Sequence, residues 1–248
     1  GLCAASAAAG GPAAVDSFEQ TLESVAAFGE ATFGLTQDLS ATLGVRYTRD
    51  VKEGEFLGTV PNPTLPLLGA RAPQSFGPEE LDDDQVTYRA NLRYFLEEDV
   101  MLFATYSTGF KSSGFNSDGT FPALTPDQRV YGQETTTNFE LGMKSQWLEN
   151  TLQANITAFN VVYDDFQDRS FDGVSLLVRN VGELEVRGIE GDVTWAATDE
   201  LQIFGSFSFL DAEFNQYPEA PPLPGGTIQD LAGETPNYSP EWQASLVA

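Results

Sequence analysis

Residues 39–48 read Leu39-Ser40-Ala41-Thr42-Leu43-Gly44-Val45-Arg46-Tyr47-Thr48, and apolar side chains alternate with small or polar ones throughout. Successive side chains of a β-strand point to opposite faces, so this strand has one apolar face and one polar face. The same period returns in segments that begin near Val86, Phe139, Leu152, Ile189 and Leu201, and more weakly near Val25, Val100 and Tyr238. The pattern predicts an all-β chain of about eight full strands and the start of a ninth.

The connections between these segments are alternately short and long. The short ones contain ordinary turn residues: Gly34–Asp38, Leu96–Asp99, Leu148–Asn150 and Thr198–Glu200. The long ones contain most of the proline and glycine: Arg49–Asp84, Gly109–Gln133, Asp165–Val174 and Asp211–Asn237. Every second connection of an antiparallel up-and-down meander lies at the same end of the sheet. Short turns at one end of the sheet and long loops at the other are typical of a transmembrane β-barrel in the outer membrane.

The two faces of the predicted strands differ in the way a membrane barrel requires. Apolar faces are expected to meet lipid, and charged residues in the middle of strands are expected to face a hydrated lumen. The charged residues of this kind are Arg46, Arg89, Arg93, Glu140, Lys144, Glu190 and Asp192. Aromatic residues near the strand ends predict two girdles at the membrane interfaces, formed by Tyr47, Tyr94, Tyr106, Trp147 and Trp195.

Composition excludes several classes of function. The net charge of -25, from 37 acidic and 12 basic residues, argues against nucleic-acid binding, because phosphates would be repelled. The chain has one cysteine, Cys3, and no histidine, so it lacks the usual soft metal ligands and any nucleophile–histidine pair. We therefore predict no enzyme activity, no catalytic residue, no metal and no cofactor. Residues 1–23 are interpreted as an irregular segment and residues 24–248 as an incomplete barrel.

Several segments together resemble the barrels of TonB-dependent outer-membrane receptors. They include Tyr106-Ser107-Thr108-Gly109-Phe110-Lys111-Ser112-Ser113-Gly114-Phe115-Asn116 and Asn138-Phe139-Glu140-Leu141-Gly142-Met143-Lys144-Ser145. Arg187-Gly188-Ile189-Glu190 and Phe209-Leu210-Asp211-Ala212-Glu213 follow in the order and spacing of that family. The resemblance extends from about Ser24 to Ala248.

The resemblance implies a barrel of about 22 strands with a plugged lumen. It implies a receptor that imports a scarce ligand, most often an iron–siderophore complex, with energy relayed by TonB. The partners would be outer-membrane lipid, a plug domain and the remaining barrel strands. We recognise no plug, no TonB box and no closing strand in this sequence, so contact with TonB is expected only through segments outside it.

Some residues are candidates for a ligand site. Phe110, Lys111, Phe115 and Asn116 combine aromatic rings, a cation and an amide on the predicted outer side, although such residues also shape strand exits. Arg46, Arg89, Arg93 and Lys144 are candidates for a basic ladder that grips an acidic plug or an anionic ligand. Neutralisation by Glu and Asp of neighbouring strands is the interpretation that we favour for these cations.

Other clusters receive simpler interpretations. Glu79, Glu80, Asp82, Asp83 and Asp84 lack the spacing of a calcium loop and are interpreted as a solvated loop end. Two further functional hypotheses remain open on the sequence alone. One is a small complete outer-membrane barrel with a structural or adhesive role. The other is a soluble β-rich module that binds glycans.

Overall fold

The computed structural model describes residues 14–61, 73–117, 123–171, 176–222 and 226–248. Strands dominate these residues: β1 Val15–Gly34, β2 Leu39–Thr59, β3 Gln74–Glu97, β4 Val100–Lys111, β5 Gly114–Phe115, β6 Val130–Tyr131, β7 Glu134–Trp147, β8 Leu152–Asp164, β9 Gln167–Phe171, β10 Leu176–Asn180, β11 Glu183–Thr198, β12 Leu201–Gln216 and β13 Trp242–Val247. A single turn of helix, α1 (Pro126–Arg129), lies between β5 and β6. Among the described residues, no helix has the length and apolarity needed to cross a membrane.

One antiparallel sheet of 9 strands contains almost all of this structure, in the order β1-β2-β3-β4-β7-β8-β11-β12-β13. The short strands pair separately, β5 with β6 and β9 with β10, within the connections of the large sheet. Apart from them, each strand pairs with the next one along the chain. The predicted up-and-down meander is therefore confirmed, and β1 and β13 form its two edges.

The alternation of connections is also present in the structure. Residues 35–38, 98–99, 148–151 and 199–200 make the short turns at one end of the sheet. The long connections at the other end begin after β2, β4, β8 and β12, and two of them contain the short strand pairs. We call the two ends of the sheet the turn end and the loop end.

Three strand boundaries predicted from the sequence were wrong: the start of β1, the end of β2 and the start of β3. β1 begins at Val15, within the segment 1–23 that we expected to be irregular, of which residues 1–13 lie outside the described residues. β2 and β3 reach Thr59 and Gln74, so they occupy most of the predicted loop Arg49–Asp84. Both faces of this part of the hairpin carry polar residues, so apolar and polar residues no longer alternate, although the backbone hydrogen bonds between β2 and β3 continue.

The large sheet is curved, with a polar concave face and an apolar convex face. One cavity on the concave face is lined by residues from β1, β2, β3, β4, β7, β8 and β11. The opposite side chains of the same strands are exposed, as shown by Leu43, Val45, Val86 and Leu141, which are 51–56% exposed. An apolar surface of this extent requires a cover other than water.

Two glycines allow aromatic rings to lie close to the concave wall. A Cβ atom at Gly142 would lie 2.4 Å from the Phe103 ring, and one at Gly188 would lie 2.9 Å from the Phe159 ring. In the sequence, the alternation changes phase near Arg187 and Gly188, which predicts a β-bulge. This prediction is wrong, because the register of β11 against β12 is continuous there. Gly188 instead provides space for Phe159 of the neighbouring strand.

The loop end contains an apolar core that lies on the concave side. Its buried residues are Val181, Leu184, Phe214, Tyr217 and Ala220. Leu184 lies directly opposite Phe214, and strand alternation places it on the same face as Glu190 and Asp192. The connection that follows β12 therefore folds inward over the concave face.

Candidate functional site

The concave cavity, of about 860 Å³, contains nearly all the charged residues that we expected to face a lumen. Arg89, Arg93, Glu140, Lys144, Glu190 and Asp192 all line it. Arg46 lies on the same face of β2 as Thr42, and its guanidinium carbon is 5.6 Å from the centre of the Phe28 ring. The strand alternation thus brings residues from distant parts of the sequence to one surface.

Two of the carboxylates in this cavity accept hydrogen bonds from amide side chains. Asn155 Nδ2 donates to Asp192 Oδ2 at 2.9 Å. Asn138 Nδ2 donates to Glu140 Oε1 at 2.8 Å. These bonds hold the carboxylates in place but leave their negative charge uncompensated.

The basic residues of the cavity lack ionic partners among the described residues. No described carboxylate oxygen lies within 4.0 Å of Arg89, Arg93 or Lys144. The ammonium of Lys144 instead lies 5.9 Å from the centre of the Phe103 ring. These three cations therefore form no direct ion pair with a described residue, although Glu30, Glu140, Glu190 and Asp192 line the same cavity.

The convex face shows the opposite behaviour. Arg49 binds Asp82 with two hydrogen bonds, from Nε at 2.8 Å and from Nη2 at 2.5 Å. Arg187 binds Asp211 with Nε–Oδ2 and Nη2–Oδ2 distances of 2.9 and 2.8 Å. Both pairs are well exposed, so each contributes little to stability. Outward-facing arginines are thus paired, whereas those of the concave cavity are not.

The aromatic residues expected to form girdles all lie on the convex face with 39–48% exposure. Trp147 and Trp195 both lie directly opposite Leu152, next to the turn end. Tyr47 lies on β2 eight residues beyond Leu39, or about 26 Å further toward the loop end at 3.3 Å per residue. At the tilt of about 35–45° of barrel strands, this separation corresponds to about 18–21 Å along the membrane normal, somewhat less than the height of about 25 Å of the apolar band.

Two of the proposed ligand residues are buried in the structure. Phe115 is 8% exposed, and its ring packs edge-on against Phe18 and Phe76 at centroid distances of 6.4 and 6.1 Å. Asn116 is 6% exposed, and its amide bonds to the backbone of Gln128 at 2.9 Å and of Val178 at 2.9 and 2.8 Å. Both side chains therefore hold loops together.

The other two candidates lie on β4. Phe110 is half-buried opposite Thr135, and Lys111 is exposed opposite Glu134. This exposure distinguishes Lys111 from Phe115 and Asn116.

Arg129, which the sequence did not single out, is almost completely buried. It is 2% exposed, and its guanidinium carbon lies 4.0 Å from the centre of the Phe56 ring. Its Nη1 donates to the Asn116 carbonyl at 2.9 Å, and its Nη2 donates to the side chain of Gln74. Thr125 and Gln128 form a capping box that fixes α1 and positions Arg129 at the end of it.

Asn180 and Gln167 connect two long connections at the loop end. Asn180 donates to the carbonyls of Gly132 and Asp165 at 3.0 and 2.8 Å and accepts from the Gly132 amide at 2.6 Å. Gln167 is buried and donates to Gly132 and Ser112 carbonyls at 2.9 and 3.1 Å. No feature of the sequence distinguishes these amides from ordinary loop residues.

The acidic cluster belongs to β3 and not to a loop end, so our interpretation of it was wrong. Asp82 binds Arg49 on the convex face, whereas Asp83 accepts a hydrogen bond of 2.8 Å from the Ser113 amide on the concave side. Alternation along the strand therefore splits the cluster between two faces. Within the described ranges, no group of three or more acidic, cysteine or histidine side chains is arranged to hold a metal ion.

A curved antiparallel meander with an apolar outer face, a charged inner face and two aromatic rows defines the wall of an outer-membrane β-barrel. The family model described as "TonB dependent receptor-like, beta-barrel" matches residues 4–248. The chain belongs to this family of outer-membrane receptors and transporters, which is not a family of enzymes.

Individual relatives agree with the family. The pesticin receptor of Yersinia enterocolitica is 27% identical over 176 residues, which cover 71% of this chain and 24% of the relative. The structure of the ferric yersiniabactin uptake receptor FyuA from Yersinia pestis matches this chain with a TM-score of 0.74 and 20% sequence identity. The match covers 95% of this chain and 32% of the FyuA chain. The structure of the siderophore receptor PiuA from Acinetobacter baumannii matches with a TM-score of 0.70 and 22% sequence identity, over 92% of this chain and 31% of the PiuA chain. The chain thus spans about a quarter of the pesticin receptor.

Proposed function

We propose that this chain is part of the barrel wall of a receptor that imports an iron–siderophore complex through the outer membrane. The observation that carries the proposal is the segregation of the sheet into an apolar convex face and a charged concave face, together with membership of the family. The ferric yersiniabactin uptake receptor and the siderophore receptor PiuA share this fold, which supports iron–siderophore complexes as the ligand class.

Each face has its own task in this proposal. The convex face, with its aromatic rows, contacts lipid and fixes the depth of the barrel in the membrane. The concave face encloses a lumen that a plug domain fills, and TonB acts through segments outside this chain. The loop end faces the outside, where the inward-folded connections narrow the entrance.

Lys111 is the candidate that we retain for direct contact with the ligand. It is exposed at the loop end and lies on the concave face of β4, on the same side as Phe103. Phe110 lies next to it, whereas Phe115 and Asn116 are proposed to hold the loops in the shape that the ligand meets.

The test uses the full-length gene that contains this chain, expressed in an iron-starved host that lacks its own siderophore receptors. We expect uptake of a radiolabelled ferric siderophore when TonB is present and no uptake when TonB is deleted. A panel of complexes with hydroxamate, catecholate and mixed chelating groups identifies the ligand class. Equal uptake with and without TonB would contradict the proposal, and so would failure to transport any member of the panel.

Neither of the other two hypotheses gains support from the structure or the relatives. A soluble glycan-binding module would have to cover the exposed convex face with protein. A small complete barrel is tested by the same gene, because its product would carry no plug domain and would show no dependence on TonB.

A further inference from the structure

Strand β3 extends much further toward the loop end than its neighbour β4. It has 24 residues, but only residues 89–97 pair with β4, whereas β2 pairs with β3 along nearly its whole length. The amide of Tyr88 donates to Thr108 Oγ1 at 3.0 Å, and β4 leaves β3 at this point. Among the described residues, no strand pairs with β3 beyond it on that side. We call residues 79–87 of β3 the open edge.

The connection that follows β4 does not run beside the open edge. The amide of Ser113 donates to Asp83 Oδ2 at 2.8 Å, and Lys52 Nζ donates to Ser112 Oγ at 2.8 Å. Both contacts lie on the concave face of the hairpin of β2 and β3. They hold the connection over that face, while the side chains of residues 80, 82 and 84 on the convex face stay exposed.

The open edge carries backbone groups that another strand can bind. The amide and carbonyl of every second residue in an antiparallel strand point to the same edge. Because the amide of Tyr88 points toward β4, those of Glu80, Asp82, Asp84 and Val86 point to the open edge. Within the described ranges, these four residues have no backbone hydrogen-bond partner at that edge. They therefore form a template for strand addition.

Charge is the one protective device that the open edge uses. Proteins commonly protect such edges with very short strands, prolines, bulges or charges. This segment is about 30 Å long at 3.3 Å per residue, contains no proline and keeps a continuous register with β2. Five of its nine residues are acidic: Glu79, Glu80, Asp82, Asp83 and Asp84. The carboxylates repel an acidic strand, but they favour a basic one, because opposite charges on adjacent strands stabilise the pair.

We propose that the open edge of β3 binds an extended basic segment of a partner protein by strand addition. The convex side of the edge presents Glu80, Asp82 and Asp84, so the segment carries Lys or Arg at every second position. The concave side is occupied by Ser113 next to Asp83, so the residues between these cations are small. This interaction is separate from import of a ligand, because it uses the outer rim of the wall and not the lumen.

Two fluorescent peptides test the proposal on the purified full-length receptor. One is a ten-residue peptide in which lysine and threonine alternate, and the other has the same composition with its lysines in adjacent pairs. Only the first places all its lysines on one face of a strand. We expect fluorescence anisotropy to show binding of the alternating peptide that is at least about tenfold tighter. Equal affinities would indicate attraction by charge alone and would overturn the proposal, and so would binding of neither peptide.

Substitution of Asp84 tests the backbone contact. Both D84P and D84N remove the carboxylate, but only D84P also removes the amide that points to the open edge, and proline is tolerated at an edge. We expect D84P to bind the alternating peptide at least about fivefold more weakly than D84N, because one hydrogen bond is lost. Equal binding by the two variants would overturn the proposal. The peptide comparison uses the unmodified receptor, so it decides the matter even if D84P does not assemble. Neither assay contains a siderophore, so their outcome is independent of the proposed import.

Discussion

Phe115→Ala is the substitution that best separates a structural role of the long loops from a role in ligand contact. The ring of Phe115 is 8% exposed and lies between Phe18 and Phe76, directly against the backbone of Gly54. Removal of a buried phenylalanine costs about 3–5 kcal/mol. We take the lower end, because this core is small and lies beyond the lipid. About 3 kcal/mol corresponds to a population of the opened loop that is about a hundredfold larger.

Hydrogen exchange of the full-length receptor measures this population directly. We expect peptides that cover residues 112–117 and 126–131 to exchange about a hundredfold faster in F115A than in the wild type. The matched control is F171A, because Phe171 lies in the neighbouring hairpin and is 57% exposed, so it should change little. Unchanged exchange in F115A would refute the conclusion that Phe115 holds the loops in place by packing against Phe18 and Phe76. A lower ligand affinity with unchanged exchange would return Phe115 to the ligand site.

Two further predictions concern the large sheet and the apolar core at its loop end. In G142A the new methyl group would lie 2.4 Å from the Phe103 ring, so we expect less folded receptor in outer membranes. The control G205A should assemble normally, because the atom nearest to its new methyl group is 3.6 Å away. The amount of folded barrel in both variants is measured by its shifted migration on gels of unheated samples. Tyr217 lies beyond β12, and burial together with its hydrogen bond of 2.7 Å to Asp168 raises its pKa to about 12. Because the folded state holds this proton more tightly, its stabilising effect is complete below the ordinary pKa of about 10 and is lost as the pH rises through about 12. In the wild type, hydrogen-exchange protection around residue 217 should fall as the pH rises through this range, and in Y217F this fall should be absent. An identical fall in both proteins would contradict the assignment of the pH dependence to the Tyr217 hydroxyl.

Sequence patterns were sufficient for the fold because a membrane barrel imposes its rules locally. Lipid requires an apolar side chain at every second position, so the period of two in residues 39–48 is a direct record of the environment. The alternation of connection lengths then fixed the meander and its two ends. The charged residues of the concave face followed from the same parity, since a strand residue must face one side or the other.

The same rule explains where the prediction of the strands failed. Beyond the lipid, one face of β2 and β3 packs against loop residues such as Phe115 and Arg129 and the other face meets water. Their sequence there lacks the alternation that lipid imposes, and it was interpreted as a loop. Gly188 was interpreted as a bulge because a strand sequence does not show which ring of a neighbouring strand lies above it. In both cases the missing information belongs to the environment or to a partner strand.

The sequence by itself determined the class of this protein, the order of its strands and the face on which each charge lies, because side-chain parity in a strand is a local property. Only the tertiary structure decided which charges have partners: Arg49 and Arg187 do, whereas Arg89, Arg93 and Lys144 have none among the described residues. It also turned Phe115 and Asn116 from candidate ligand residues into buried loop anchors. Pairing and burial depend on distances between residues far apart in the chain, and those distances are set by strand register and loop packing.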